Sequence, residues 1–562
     1  MTHPERLPIV LALVMTGLNA VKPAVVDDPA YLAMAAHLSQ HPLDPYGFEQ
    51  FWYSRPTPAM EVLAPPVLPY WLAGGYALVG DNLPLLKLML FPFAWAFAAA
   101  AFALLRRFAR GTDRPGTVML ALSPAVLPLF NVMLDVPAVA LGLACVAVFV
   151  RGIDTRRIAF VTAAGVLMGL AIQTKYTMLT IPAVVTGYAL LHRRVGPAVL
   201  AVGIGFGLAV GWDLLLVNGY GESHFWHHAA GEAAGTLAEK LSAKIDLGLP
   251  LLTYFGGLAF AWGLYGGRAA GFPPAAVRAA AGAAAVAFGW VILDPAAFLP
   301  PRPPAFAPRF GLAQTTGWLL GLGLLVTIGL CLTKMLVRRP TRLRWSADSW
   351  FLAGWLVVEV AGAFALTPFP AGRRVMMLSV VVGLIACRAV SRLGRLNPAR
   401  CPPRWVPVYA VGVGLTYYAL DAWDALPERL LPGRAAAVIA AAPGGRGPGT
   451  VWTQGHWGWQ YYTARQGFTA FVPGRTVLQP GDWYVHPAHP PGPGFYRPVL
   501  ATEAPPDLEA LVHVGGVIWD DRLPYQTIPT LYGGAVPVLG RGFPRLSIEV
   551  YRVVRPWTPT AR

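Results

Sequence analysis

The sequence predicts a polytopic α-helical membrane protein: about thirteen transmembrane helices, N-terminus inside and C-terminus outside, followed by a small C-terminal α/β domain beyond the membrane. Three observations predict it. Hydrophobic residues make up 55% of the 562-residue chain and charged residues only 13%, where a soluble protein carries roughly 25% charged. The apolar residues come in continuous runs rather than alternating, and a helix of about 20 such residues spans the hydrocarbon core. The basic residues collect in short clusters between the runs, as they do in loops on the cytoplasmic side.

The runs place spans near 6–25, 84–105, 115–131, 135–150, 158–174, 176–191, 196–217, 248–266, 273–293, 314–336, 349–366, 374–390 and 405–422. Helices rather than a barrel are expected, because the runs lack the period of two that a barrel strand needs. The basic clusters test the threading. They are Arg106, Arg107, Arg110 and Arg114; Arg151, Arg156 and Arg157; Arg193 and Arg194; Arg268 and Arg278; Arg338, Arg339, Arg342 and Arg344; and Arg388, Arg392, Arg395, Arg400 and Arg404. With the N-terminus inside, every cluster falls on the cytoplasmic side. A missed or invented span would break that alternation. The first run lacks a small-x-small cleavage site and is read as an uncleaved helix.

The net charge of +16 therefore reads as membrane topology. No basic patch is interleaved with base-stacking aromatics, so no nucleic acid is expected as a partner. Cys145, Cys331, Cys387 and Cys401 are scattered without zinc spacing or a disulfide framework. No P-loop and no repeat of fixed period is apparent.

The domain reading divides the chain into residues 1–422, a membrane region with external loops at 26–83, 218–247 and 294–313, and residues 423–562. The tail is rich in Pro, Gly and aromatics. Its short apolar runs Thr450–Trp452, Asp482–Val485, Val512–Trp519 and Leu546–Val554 read as strands, with a helix over His456–Arg465 between two of them.

Candidate functional residues gather on the outer face. Asp27-Asp28-Pro29-Ala30-Tyr31 follows the first span. Two adjacent carboxylates there suit a metal, a general base or a helix N-cap with Pro at the first position. Asp135, in Leu134-Asp135-Val136-Pro137, stands at an outer span end, where it either caps the next helix or serves a site. Lys175, between the fifth and sixth spans, and Arg373 and Arg374, before the twelfth, are cations against the positive-inside trend. Cations so placed can hold a phosphate.

These motifs resemble the GT-C glycosyltransferases, close to the mannosyltransferase and aminoarabinose-transferase type of bacterial inner membranes. The resemblance rests on Asp27-Asp28 with Tyr31, Pro65-Pro66 ahead of the second span, the Asp135 motif, Thr174-Lys175, the Arg373-Arg374 pair and a soluble external end. It implies a sugar taken from a polyprenyl-phosphate carrier and moved to a lipid, glycan or protein acceptor of the envelope. The expected location is the cytoplasmic membrane, among membrane lipids, with the site facing the periplasm or exterior. By the same resemblance Asp27 is the base, Asp28 orients it or shares a divalent cation (Mg, Mn or Zn), and Asp135 supports acceptor or metal. Lys175, Arg373 and Arg374 neutralise the departing phosphate. Tyr31, Arg55 and His224, on the external loops, are expected to contact substrate. The family commonly has Asp-Glu where this chain has Asp27-Asp28, and an aromatic where it has Arg374.

Other readings stand beside this one. A secondary transporter or lipid flippase predicts inverted repeats and helices broken at mid-membrane. A catalytically silent relative would keep the acids without turnover. His224 and His228 share one helical face, as metal ligands can, but also suit a cleft wall or a solvated amphipathic helix. The tail residues Trp452, His456, Trp457, Trp459, Tyr461 and Tyr462 suit sugar stacking or packing at the membrane interface.

Overall fold

The computed structural model describes residues 6–233, 237–293, 312–336, 347–488, 507–519, 525–533, 539–540 and 546–560. The expected loop at 294–313, as far as residue 311, and the basic cluster Arg338, Arg339, Arg342 and Arg344 lie outside the described residues. Among the described residues, six helices are long and apolar enough to cross a membrane: Leu83–Phe108, Asp135–Thr155, Val195–Tyr220, Gln314–Leu336, Ala347–Ala365 and Gly372–Leu396. A seventh is the pair Lys244–Ala259 and Ala261–Ala270, bent by 79°. Shorter apolar helices occupy Leu7–Val21, Val67–Val79, Ile158–Ile172, Tyr176–Leu191 and Pro274–Gly289.

The plainest departure from the expected thirteen spans is at 115–131. Helix Asp113–Ala121 stops after nine residues, and the chain runs in turns to Asp135. Pro124 and Pro128 explain the break, since each pushes the preceding residue out of the α region. Residues 123–140 are buried without exception. Irregular backbone at this depth is tolerated where protein rather than lipid surrounds it, and local bonds such as Leu127 N–H to Ser123 O (2.9 Å) satisfy its polar groups.

The segment still carries the chain from one end of the bundle to the other. Helix Asp135–Thr155 has 21 residues and is about 31 Å long at 1.5 Å per residue. Near its far end Asp154 binds Arg107 Nε at 2.6 Å. Arg107 also reaches Asp348 at 3.2 Å, and Arg388 joins Asp348 at 3.4 Å and Phe108 O at 2.7 Å. One end of the bundle is thus tied by an ion network, and the opposite end carries Asp135.

Close helix approaches rest on glycine. In Gly165-Val-Leu-Met-Gly169, a Cβ on Gly165 would stand 2.8 Å from Ala201 O, and one on Gly169 would stand 2.8 Å from Leu208 Cβ. Spacing of this small-xxx-small kind lets Ile158–Ile172 press against Val195–Tyr220. The other flank of the latter helix exposes Val199, Val210, Leu214 and Leu215, as a lipid-facing flank does.

The expected first external loop folds into helix Asp28–Gln40, a hairpin of Glu49–Trp52 with Arg55–Pro58, and helix Val67–Val79. The tail forms a five-stranded sheet in the order Thr469–Ala470, Val451–Thr453, Trp483–Ala488, Leu546–Val553, Leu511–Trp519. The first three strands are mutually parallel and the last two antiparallel to their neighbours. Helix Trp457–Arg465 connects two parallel strands, and helix Leu426–Ala441 packs on the sheet through Leu431, Ala435 and Ile439.

A buried polar knot fastens the tail to the bundle. Lys22 forms an ion pair with Asp421 and donates to Pro128 O (2.8 Å) and Tyr532 Oη (3.1 Å). Tyr532 donates to Asp421 Oδ2 at 2.8 Å and accepts from Asn131 Nδ2 at 2.7 Å. Ala24 N–H donates to Tyr462 Oη at 2.9 Å.

Candidate active site

Helix Leu7–Val21 ends before Pro23, and the chain turns sharply into helix Asp28–Gln40. Val26 in this turn has φ +47°. A buried β-branched residue in that region is strained, and such strain persists only where the surroundings over-determine it. Asp27 occupies the N-cap position yet makes no side-chain cap bond. Its Oδ2 instead accepts from Arg373 Nη1 at 2.7 Å. The cap alternative for Asp27 therefore fails.

The two adjacent acids have different surroundings. The Asp27 side chain is 19% exposed, whereas that of Asp28 is 0% exposed. Asp28 Oδ2 accepts from Val25 N–H at 3.2 Å and lies 3.7 Å from Lys87 Nζ. Burial pushes the Asp28 carboxyl up to about 6, against the pull of Lys87 and the Val25 bond. Lys87 also donates to Lys22 O and Pro23 O, so this pair fixes the turn that presents Asp27.

Asp135 is the first residue of helix Asp135–Thr155, whose N-cap position is held by Leu134. Its carboxylate pairs with Lys175 and lies 3.8 Å from Arg373 Nη1. Lys175 stands in extended backbone between Ile158–Ile172 and the 3-10 turn Tyr176–Thr180. Burial pushes its amine down to about 7; Asp135 opposes this, and Arg374 and Arg373 add to it. Arg373 and Arg374 lie in the turn Gly372–Val375, their guanidinium groups 5.5 and 5.0 Å from the centre of the Phe369 ring. Gly372 is required there, because a Cβ would stand 2.8 Å from Leu531 Cδ1 and 3.0 Å from Leu258 Cδ1. Tyr31 is buried in the same electrostatic neighbourhood, its phenol pushed up first by burial and then by Asp27.

Two cavities meet at Lys175 and Arg374. One, of about 400 Å³, is walled mainly by apolar groups including Val62, Pro65, Leu179, Phe225, Leu366 and Phe369. The other, of about 40 Å³, is lined by Asp135, Lys175, Thr180, Glu359, Arg373 and Arg374 among others. The first has room for a chain of hydrocarbon, and its cationic rim suits an anionic head.

Arg55 and His224 are placed differently. Arg55 lines a separate cavity of about 390 Å³ with Glu49, Glu61 and Arg475. His224 is buried, with Nε2 2.9 Å from Leu63 O and Nδ1 2.7 Å from Tyr176 Oη. Nε2 must donate to the carbonyl, so Nδ1 accepts from the tyrosine. Burial pushes the ring down to about 4, leaving it neutral. With both nitrogens engaged, His224 clips the first external segment to the Tyr176 turn and has no lone pair for a metal, although the His228 ring lies 4.5 Å away.

A divalent cation at Asp27 and Asp28, whether Mg, Mn or Zn, does not fit this donor set. Asp27 faces Arg373, Asp28 faces Lys87 and Asp135 faces Lys175. A metal would have to displace those cations and gather further ligands. Among the described residues no group of three or more His, Cys, Asp or Glu stands close enough to hold one.

One residue at this end, Glu359, is absent from the expected site, and another, His456, was expected only as one of the tail residues suited to sugar stacking or interface packing. Glu359 lies within helix Ala347–Ala365 and lines the smaller cavity. It was legible as a lone acid in an apolar run. His456, from the tail, packs its ring 4.6 and 4.4 Å from those of Trp52 and Tyr53. No local signal marks that contact, because the partners are some 400 residues apart in sequence.

A family model described as dolichyl-phosphate-mannose-protein mannosyltransferase matches residues 64–211. That stretch holds Asp135 and Lys175 but neither Asp27 nor Arg373. No curated protein matches the chain in sequence. Among solved structures, the chain is similar to ArnT from Cupriavidus metallidurans bound to undecaprenyl phosphate, at 18% identity and a TM-score of 0.40 over 86% of this chain and 92% of that one. It is also similar to the archaeal oligosaccharyltransferase AglB from Archaeoglobus fulgidus in complex with an inhibitory peptide and a dolichol-phosphate, at 12% identity and a TM-score of 0.44 over 86% and 69%. A second structure of the Archaeoglobus fulgidus oligosaccharyltransferase, in complex with Zn and sulfate, gives 12% and 0.44 over 83% and 62%. The chain resembles the GT-C glycosyltransferases.

Proposed function

We propose that this chain is a membrane glycosyltransferase that moves a sugar from a polyprenyl-phosphate carrier to a lipid, glycan or protein acceptor at the outer face of the cytoplasmic membrane. The observation that carries the reading is an apolar groove rimmed by Lys175 and Arg374 and linked, through Asp135 and Arg373, to the partly exposed carboxylate Asp27. The carrier's hydrocarbon lies in the groove beside Phe225, Leu366 and Phe369, and its phosphate rests against Lys175 and Arg374.

Asp27 is the base. Arg373 holds Oδ2, and among the described residues Oδ1 accepts no hydrogen bond, so it is available to the acceptor. As the acceptor oxygen attacks the anomeric carbon, its proton passes to Asp27. The bond from that carbon to the phosphate oxygen breaks, and the phosphate leaves with both electrons. Lys175 and Arg374 stabilise the charge that grows on it. Asp135 holds Lys175 in place, and Asp28 anchors the turn beneath Asp27. No metal enters any step.

A transporter reading would draw on the bent pair Lys244–Ala259 and Ala261–Ala270. It is less favoured because the acids and cations cluster where helix Asp135–Thr155 begins, not at mid-span. The test is donor consumption by purified protein offered a panel of polyprenyl-phosphate sugars, wild type against Asp27→Asn. Turnover by wild type and its loss in the variant support the proposal. Wild type that consumes none of the donors, or a variant equal to it, sinks it.

A further inference from the structure

Glu359 is a carboxyl group set inside an apolar helix. It lies six residues before the end of Ala347–Ala365, about 9 Å along the axis from the end that borders the site. The residue is 6% exposed. An acid at such depth is costly and persists where something receives it. Its surroundings in the protein satisfy only half of it. Trp355 Nε1 donates at 3.0 Å and Thr180 Oγ1 at 3.4 Å, both to Oε1. Among the described residues Oε2 accepts no hydrogen bond, and no cation pairs with Glu359.

The carboxyl group forms part of the wall of the 40 Å³ cavity behind Lys175 and Arg374. That volume holds roughly three waters, so it admits one substituent of a sugar and not a ring. Asp135 and Glu359 share the chamber with Lys175, Arg373 and Arg374, so the selective element is Glu359 Oε2 itself. As a carboxylate oxygen it receives a group that donates a hydrogen bond.

We propose, on the transferase reading above, that Glu359 Oε2 receives a hydrogen-bond-donating substituent of the donor sugar, a hydroxyl or an ammonium group, while the phosphate stays on Lys175 and Arg374. Glu359 is then a specificity residue. Oε1 is fixed by Trp355 and Thr180, which aims the carboxylate plane, and the narrow chamber rejects a substituent larger than it can seat.

The experiment compares wild type with E359Q on undecaprenyl phosphate carrying a hexose, each of its singly deoxygenated analogues, and an amino sugar, reading kcat/KM for donor consumption. Wild type is expected to prefer the hexose, or the amino sugar, over one deoxy analogue by about 10- to 100-fold, the worth of a hydrogen bond to a charged group. E359Q is expected to lose that preference while handling the deoxy analogue as wild type does. A larger loss on the amino sugar than on the hexose identifies ammonium as the group received, and the reverse identifies hydroxyl. Gly362→Ala is the second variant, since its added methyl would collide with Thr180 Cγ2, narrowing the chamber and disturbing the Thr180 bond to Oε1 while the carboxyl group itself is kept. It is expected to give the same selective loss, and it carries the test if E359Q fails to fold. Equal slowing on all donors, or unchanged discrimination, overturns the inference alone. Wild type without any turnover overturns the transferase reading and the inference with it.

Discussion

Arg373 Nη1 lies 2.7 Å from Asp27 Oδ2, joining residues 346 positions apart, and the same nitrogen stands 3.8 Å from Asp135. One guanidinium thus sets the relative position of two acids carried by different helices. Its Nε is buried without a hydrogen-bond partner, so the side chain's bonding is concentrated at its outer nitrogens.

Arg373→Lys tests that role. A lysine keeps the charge but loses the rigid fork and the stacking on Phe369. Turnover is expected to fall by about 10- to 100-fold while KM for the donor changes little, because the proposed phosphate contacts lie on Lys175 and Arg374. Steady-state kinetics separate the two parameters. A rise in donor KM at unchanged kcat contradicts the positioning role.

The two neighbouring acids are expected to fail in different ways. Asp27→Asn removes the proposed base and is expected to lower kcat by about 100-fold or more, with a melting temperature within a few degrees of wild type, since the side chain is partly exposed. Asp28→Ala leaves Lys87 buried without its anion, at a cost of about 3–5 kcal/mol, so thermal melting shifts downward and activity falls with it. Identical melting of the two variants would contradict the division.

Lys175 gives a pH dependence with a definite sign. Its amine is pushed down to about 7, foremost by burial, so it carries its charge below that pH and loses it above. A phosphodiester donor stays anionic throughout. kcat/KM for the donor, which reports the free enzyme, is therefore expected to fall as pH rises through about 7. Arginine stays charged in proteins, so Lys175→Arg is expected to flatten the profile on the alkaline side. A profile unchanged in the variant places the titration elsewhere.

Tyr532 ties the tail to the bundle through Asp421, Lys22 and Asn131. Tyr532→Phe leaves those buried groups short of one partner, a loss of about 1–3 kcal/mol. The tail is expected to loosen before the helices do, seen as faster limited proteolysis after residue 442 with the membrane helices still protected. Cleavage at wild-type rate would mean that the sheet is held by other contacts.

Sequence alone determined the class of the protein and grouped the candidate residues at one end of its helices. Hydropathy and charge are local properties, so continuous apolar runs and basic clusters identify a membrane chain and assign residues to ends. That was enough to group Asp27, Asp135, Lys175, Arg373 and Arg374 before any contact was known. Only tertiary structure decided which of them touch. Asp27 had two good local readings, cap or site, and the choice fell to Arg373, far away in sequence. Asp28 carries the same chemical group one residue later, yet packing turned it into a buried anchor facing Lys87. Prolines 124 and 128 were visible in the predicted span 115–131, but backbone outside a helix survives at that depth only when neighbouring helices cover it. Glu359 was readable as a lone acid, and its meaning came from the cavity it lines. Pairing and burial depend on what the rest of the chain brings near, and no local pattern encodes that.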